Sequence, residues 1–257
     1  MEAKERDIQI EEYLNLHKKA SITALSELCK VSEMTIRRDL ERLEKANKVI
    51  RIQKGARIIS SDSYLPTIEE RLSVSKEEKL SIAEYAASRV KPGEVIAMDD
   101  SSTTFAMIPF LPQDLTVVTN YLNVASTLQQ HEKTEVILLG GKLKKETCST
   151  VGKDLERMMG GYHVDKAFFS VKALSPEKEL FDAAEEVAGT KRAFIGSGTE
   201  VIFLCDHTKL GNYAFSKVCD LKDISMIIMD KCEKIQMEQD ELLQYCEREG
   251  IKIVFIA

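Results

Sequence analysis

The stretch Val31-Ser32-Glu33-Met34-Thr35-Ile36-Arg37-Arg38-Asp39-Leu40-Glu41-Arg42-Leu43-Glu44 decides how the N-terminal part of this chain folds. Ser32 is of the residue type whose hydroxyl caps a helix. After it, at 100° per residue, Ile36, Leu40 and Leu43 cluster within about 60° of each other, and Met34, Arg38, Glu41, Arg42 and Lys45 fall on the opposite side. The spacing predicts a helix with one apolar face for a core and one basic face for solvent or a partner.

Upstream, Ile10, Tyr13, Leu14 and His17 predict a helix over 6–17, and Thr23 is the expected N-cap of a second helix carrying Ala24, Leu25, Leu28 and Cys29. Downstream, Val49-Ile50-Arg51-Ile52, then Gln53-Lys54-Gly55, then Arg57-Ile58-Ile59 read as a hairpin with a basic tip. The net charge of −6 argues against a nucleic-acid binder, but it is unevenly placed: residues 30–57 hold nine basic against four acidic side chains. That asymmetry points to a DNA-contacting module on an acidic body.

A helix in the major groove reads bases from its first turns, which nominates Met34, Thr35, Arg37 and Arg38. An arginine fork bonds guanine or phosphate bidentately. The backbone amides behind Ser32, with Arg42 on the outer face and Arg51, Lys54 and Arg57 on the hairpin, complete the candidate DNA-binding set through sequence-blind phosphate contacts.

Residues 60–75 are polar and broken by Pro66, as expected of a linker, so the expected domains are 1–59, a linker 60–75, and 76–257. From Lys76 onward helical patterns alternate with apolar runs at Val95–Met98, Leu115–Thr119, Val136–Leu139, Ala167–Val171, Val201–Cys205, Met226–Met229 and Ile253–Ile256. Continuous apolar strands of this kind belong to a mainly parallel sheet covered on both faces. No apolar run reaches the ~18 residues of a membrane span, and the charged N-terminus is not signal-like, so a cytoplasmic protein is expected. The six cysteines form no CxxC pair and no clustered histidines accompany them, so neither a metal nor a cofactor is expected.

Ligands of an open α/β sheet bind beyond the carboxyl ends of its strands. Those loops hold Asp99-Asp100-Ser101-Ser102-Thr103-Thr104, Asn120, Gly140-Gly141 with Lys144 close behind, and Asp206-His207-Thr208-Lys209. Hydroxyls and amides at a helix start can hold a phosphate, glycines let a backbone approach it, lysines add charge, and carboxylates accept from sugar hydroxyls. The candidate effector residues are therefore Asp99, Ser101, Ser102, Thr103, Thr104, Asn120, Gly140, Gly141, Lys144, Asp206 and Lys209.

The phrase from Val31 to Glu44 resembles the helix-turn-helix signature of DeoR-type bacterial repressors. The segments Gly93–Thr104, Thr116–Asn120, Ile137–Gly141, Val151-Gly152, Asp165–Phe169, Lys191-Arg192-Ala193 and Asp206–Phe215 are similar to successive landmarks of that family's sensor domain. The resemblance implies a winged helix-turn-helix joined to a larger α/β domain of the ribose-5-phosphate isomerase and glucosamine-phosphate deaminase type. It further implies a repressor of carbohydrate-metabolism genes, a homo-oligomer (dimer or tetramer) that binds double-stranded operator DNA and responds to a phosphorylated sugar. Gln53 and Lys54 stand where the family usually has a glycine-rich wing with a histidine. Asp100 replaces a usual serine, and beside an anion it would either point away or meet a sugar hydroxyl. The alternative is a sugar-phosphate isomerase-like enzyme using Asp99, Asp100, Asp206 and Lys209, although a catalyst has no use for the basic N-terminal module.

Overall fold

A computed structural model describes residues 3–17, 19–45, 48–52, 54–58, 71 and 74–256. Apart from Arg71, Val74 and Ser75, the expected linker lies outside the described residues, as do Gln53, Ile59 and the side chain of Arg57. The chain divides into two compact units, Met1–Tyr64 and Leu65–Ala257.

The first unit runs α1 (Ala3–His17), β1 (Lys19–Ser21), α2 (Ile22–Cys29), α3 (Glu33–Lys45), β2 (Val49–Ile52) and β3 (Gly55–Ile58). Ile10, Leu14, Leu25, Ile36, Leu40, Leu43 and Val49 are buried together, so the apolar stripe of α3 faces the core as its period requires. The cap of α2 is Ser21 and not Thr23: the Ala24 amide donates to Ser21 Oγ at 3.0 Å. The short strand β1 ends at Ser21 in extended conformation, which moves the helix start forward. Thr23, now inside α2, donates to Glu33 Oε1 at 2.7 Å and ties α2 to α3.

Strand β3 is the centre of a three-stranded antiparallel sheet, with β2 on one side and β1 on the other. A Cβ on Gly55 would lie 2.2 Å from the Ala20 carbonyl oxygen, so only glycine permits this approach. Gly55→Ala is expected to break the β1–β3 pairing and destabilise the N-terminal unit by about 1–3 kcal/mol, as overpacking does. Denaturant unfolding of the full chain checks this; an unchanged midpoint would show that the hairpin relaxes freely.

The second unit begins with α4 (Lys76–Ser88), β4 (Val95–Met98), α5 (Ser102–Phe105), β5 (Leu115–Thr119), α6 (Leu122–Leu128) and β6 (Thr134–Leu138). A hairpin of β7 (Lys142–Lys144) and β8 (Ser149–Val151) leads to α7 (Lys153–Met159) and β9 (Val164–Phe169). Then come β10 (Ala173–Leu174), β11 (Glu179–Asp182), α8 (Glu185–Ser197), β12 (Gly198–Cys205), β13 (Ser216–Asp220), β14 (Met226–Asp230), α9 (Gln236–Glu249) and β15 (Lys252–Ile256).

Seven strands form one parallel sheet in the order β15-β14-β12-β9-β4-β5-β6. Alternate residues serve opposite faces: Ile96, Met98, Phe168, Ile202 and Leu204 pack with α4 and α6, whereas Ala97, Ala167, Phe169, Val201 and Phe203 face the layer of α7, α8 and α9. Burial on both faces is why these strands read as unbroken apolar runs. The order reverses direction between β4 and β9, and at such a switch point the diverging loops leave a crevice. A smaller antiparallel sheet, β10-β11-β13, lies outside this frame.

Candidate DNA interface and effector site

On α3 the Ser32 hydroxyl accepts from the Thr35 amide at 3.3 Å and lies 3.0 Å from Thr35 Oγ1, so it acts as the expected cap. Met34 is 62% exposed. Arg37 is exposed and lies 4.0 Å from Glu33 of its own helix, while Arg38 is exposed with no ion pair among the described residues. Arg51 pairs with Glu41 at 3.2 Å in solvent. Such a pair contributes about 0–1 kcal/mol and is readily exchanged for a phosphate. Lys54 is exposed at the hairpin turn with φ 65°.

Arg42 faces outward as its helical angle predicts, with its side chain 45% exposed, but it is tied to acidic neighbours of the unit. Its Nη2 lies 2.6 Å from Asp7 Oδ1 and 2.7 Å from Asp39 Oδ1, and Arg6 Nε donates to Asp39 Oδ2 at 2.7 Å. Asp39 is 1% exposed. Burial alone would raise its carboxyl pKa, but the hydrogen bonds from Arg6 and Arg42 outweigh burial and hold it below the usual carboxylate range. Arg42 therefore braces α3 against α1.

In the second unit the β4 loop is built around Asp99, which is fully buried. Its Oδ1 accepts from the Ser101 amide at 3.1 Å and from Thr104 Oγ1 at 2.9 Å; its Oδ2 accepts from the Ser170 amide at 3.1 Å and from Lys191 Nζ at 2.5 Å. Ser101 caps α5 through the Thr104 amide. Asp99, Ser101 and Thr104 thus hold one another, and the hydroxyl of Thr103, in the same loop, is buried without a partner. Ser102 is also buried.

Asp100 points away from solvent. Its Oδ2 accepts from Ser149 Oγ at 2.7 Å, its Oδ1 lies 3.7 Å from Lys191 Nζ, and its carbonyl accepts from Arg71 Nη1 at 2.7 Å. Lys191, on α8, also lies 3.7 Å from Asp182 at the end of β11. One buried ammonium therefore faces three carboxylates. Burial opposes its charge, yet Asp99, Asp182 and Asp100 together raise its pKa. Burial would lift Asp99, but Lys191 and the hydrogen bonds hold it down; burial and the two neighbouring aspartates push Asp182 up, against the pull of Lys191.

At the end of β12, Asp206 is buried, accepts from Thr208 Oγ1, and lies 3.4 Å from Lys209 Nζ, which also donates to Ser170 Oγ. Lys79 of α4 donates to the carbonyls of Arg71 and Val74, each at 2.7 Å. Burial pushes its pKa down to about 8, with Lys209 and Arg71 adding to the effect and Asp206 opposing it.

Asn120 donates to the Thr150 carbonyl at 2.9 Å and leaves Oδ1 buried without a partner. Arg71, 5.9 Å above the Tyr121 ring, leaves Nε and Nη2 in the same condition. Gly140 and Gly141 are exposed and sit against Met158 and Val151, and Lys144 is half-buried. Arg71, Lys79, Ser149, Ser170, Asp182 and Lys191 were not among the sequence candidates; only the Lys191-Arg192-Ala193 landmark marked the position of one of them.

A helix with exposed arginines beside a β-hairpin, together with an α/β unit whose strand-end loops are lined by polar groups, defines a DNA-binding regulator with a sensor domain. The DeoR-like helix-turn-helix domain matches residues 6–62 and the DeoR C terminal sensor domain matches residues 74–231, and the chain belongs to the DeoR family of transcriptional regulators. The HTH-type transcriptional repressor GlcR of Bacillus subtilis is 35% identical over 97% of this chain and 99% of its own. The putative aga operon transcriptional repressor of Escherichia coli O157:H7 is 30% identical over 98% and 93%. Among solved structures, ribose 5-phosphate isomerase A of Methanocaldococcus jannaschii aligns with 52% of this chain and 54% of its own, at 19% identity and a TM-score of 0.39. The chain is a regulator and not an enzyme, which sets the isomerase alternative aside. No helix among the described residues is long and apolar enough to cross a membrane.

Proposed function

We propose that this protein represses carbohydrate-metabolism genes by binding double-stranded operator DNA as a dimer or tetramer, and that a phosphorylated sugar bound at the strand-end rim alters that binding. Met34, Thr35, Arg37 and Arg38 read the major groove, and the α3 amides, Arg51, Lys54 and Arg57 hold phosphates. The effector meets Arg71, Ser102, Thr103, Asn120 and Lys209, while Asp99, Ser101, Thr104 and Asp206 fix the loops behind them. Gly140, Gly141 and Lys144 border the same rim.

The observation that carries this reading is that, of the buried polar atoms without a partner among the described residues, four belong to Arg71 (Nε and Nη2), Thr103 (Oγ1) and Asn120 (Oδ1), while those of Gln9, Arg89 and His131 belong to other parts of the chain. Leaving such groups unpaired costs about 1–3 kcal/mol each. Donors from arginine and acceptors from an amide and a hydroxyl suit a ligand that joins an anion to hydroxyl groups. Repressor names among the relatives support the DNA half of the reading.

The test is operator mobility shift and thermal shift with a panel of sugar phosphates and the matching free sugars. A sugar phosphate, and not its free sugar, is expected to raise the unfolding temperature and change DNA retention. Its affinity is expected to fall as pH rises past about 8, where buried Lys79, which holds the Arg71 carbonyl and interacts with Asp206 and Lys209, loses its charge. Lys209→Ala is expected to keep operator binding and weaken the effector about 10–100-fold, the worth of one charge-assisted hydrogen bond. A protein indifferent to every sugar phosphate would refute the effector reading and leave the DNA reading to its own assay.

A further inference from the structure

Glu78 in the first turn of α4, His207 just after β12 and Asp230 at the end of β14 converge on one point of the rim. One ligand-type atom from each lies within 4.8 Å of those of the other two. They are far apart in sequence, which is why residue spacing gives no hint of them. Asp230 is 5% exposed and fixed from several directions: it accepts from the His207 amide at 2.7 Å and from His207 Nδ1 at 2.6 Å, and its own carbonyl accepts from Gln239 at 2.7 Å.

The cluster carries two carboxylates, and among the described residues neither is ion-paired with a lysine or an arginine. Lys79, adjacent to Glu78, is turned to the Arg71 and Val74 carbonyls, and Lys209, two residues after His207, is turned to Ser170 and Asp206. Among the described residues no ammonium or guanidinium comes within 4.0 Å of Glu78 or Asp230. An imidazole between two carboxylates, on three elements anchored by a rigid sheet, is a donor set suited to divalent transition metals.

We propose that Glu78, His207 and Asp230 form a divalent-metal site of the manganese, iron or zinc class. The ion replaces the hydrogen bond between His207 and Asp230. The ring changes to its Nε2–H tautomer, the Nδ1 proton passing through solvent to Nε2, so that a neutral imidazole is the ligand, and Nδ1 and Oδ2 open from 2.6 Å to the ~3 Å that two ligands at ~2.1 Å from one ion adopt. Three protein ligands leave positions for water, so the site stays open to solvent on its half-exposed side, where Glu78 and His207 lie. The site stands apart from the sugar-phosphate reading, because its test reads metal alone.

Mn²⁺ is the probe, since its preference for oxygen donors keeps it off the six thiols of the chain. Metal-stripped, untagged full-length protein is titrated with Mn²⁺ and the free-ion electron paramagnetic resonance signal is followed. The wild type is expected to take up one ion per chain. Glu78→Gln, His207→Gln and Asp230→Asn are each expected to weaken that uptake at least about tenfold, as loss of even an outer-sphere partner does. Glu78→Gln alters a half-exposed side chain on the first turn of α4 and decides the matter even where Asp230→Asn fails to fold. No uptake by the wild type at about millimolar Mn²⁺, or full uptake by Glu78→Gln, overturns the proposal.

Discussion

Lys191→Met is expected to be the most damaging single substitution in the sensor unit. The side chain keeps its length, but Asp99, Asp100 and Asp182 lose the ammonium that lies 2.5 to 3.7 Å from each of them. Removing one partner of a buried ion pair costs about 3–5 kcal/mol because the remaining charge stays desolvated. Here three carboxylates are left.

The pH dependence carries the signature. In the variant the three carboxyl groups have folded-state pKa values raised above their unfolded values, so the folded state binds more protons than the unfolded one. The deficit is therefore full at neutral pH and shrinks as pH falls through the raised values toward acid. Thermal unfolding of wild type and variant across this range checks the claim. A deficit that is constant with pH would mean that lost packing, and not unpaired charge, accounts for it. Effector binding is expected to fail with it, since Asp99 sets the course of the loop from Ser101 to Thr104.

Arg38→Ala is expected to give the largest loss of DNA binding. Its guanidinium is exposed, in the second turn of α3, and pairs with no carboxylate among the described residues, so it reaches a duplex without first breaking an ion pair. Loss of one bidentate base contact is worth about 1–3 kcal/mol, and in a symmetric oligomer on paired half-sites it is lost twice, which multiplies to roughly 30-fold or more. Arg37→Ala is expected to lose less, because Glu33 already draws on it at 4.0 Å. Mobility shift at several salt concentrations separates the roles: a base contact changes preference among operators, and a phosphate contact changes the salt slope. If Arg38→Ala binds operator like the wild type, α3 is not the reading helix.

Much of the framework is legible in the residues. The helix α3 follows from the spacing of Ile36, Leu40 and Leu43, and the central strands announce themselves because burial on both faces demands unbroken apolar runs. The strands that escape are β1, β7, β8, β10, β11 and β13, short antiparallel pieces of two to five residues that are too brief or too interrupted by polar side chains to show a pattern. The rim loops are legible as groups, since strand ends are where a parallel sheet places its ligand. What each member does is not. Lys191 and Asp182 look like surface charges in their own segments and become one buried cluster only when α8 and the end of β11 meet the loop after β4. Arg42 lies on the solvent face that its helical angle predicts, but its ion pair with Asp7 on the neighbouring helix leaves no mark in the spacing.

That pairing separates two properties of the reading helix. On the proposed reading, what α3 recognises depends on Met34, Thr35, Arg37 and Arg38, whereas how firmly it is aimed depends on the clasp that Asp39 forms with Arg6 and Arg42. A change at Arg42 is expected to alter the stiffness of the mounting before it alters the choice of bases. Operator choice and operator grip can therefore drift independently between related regulators.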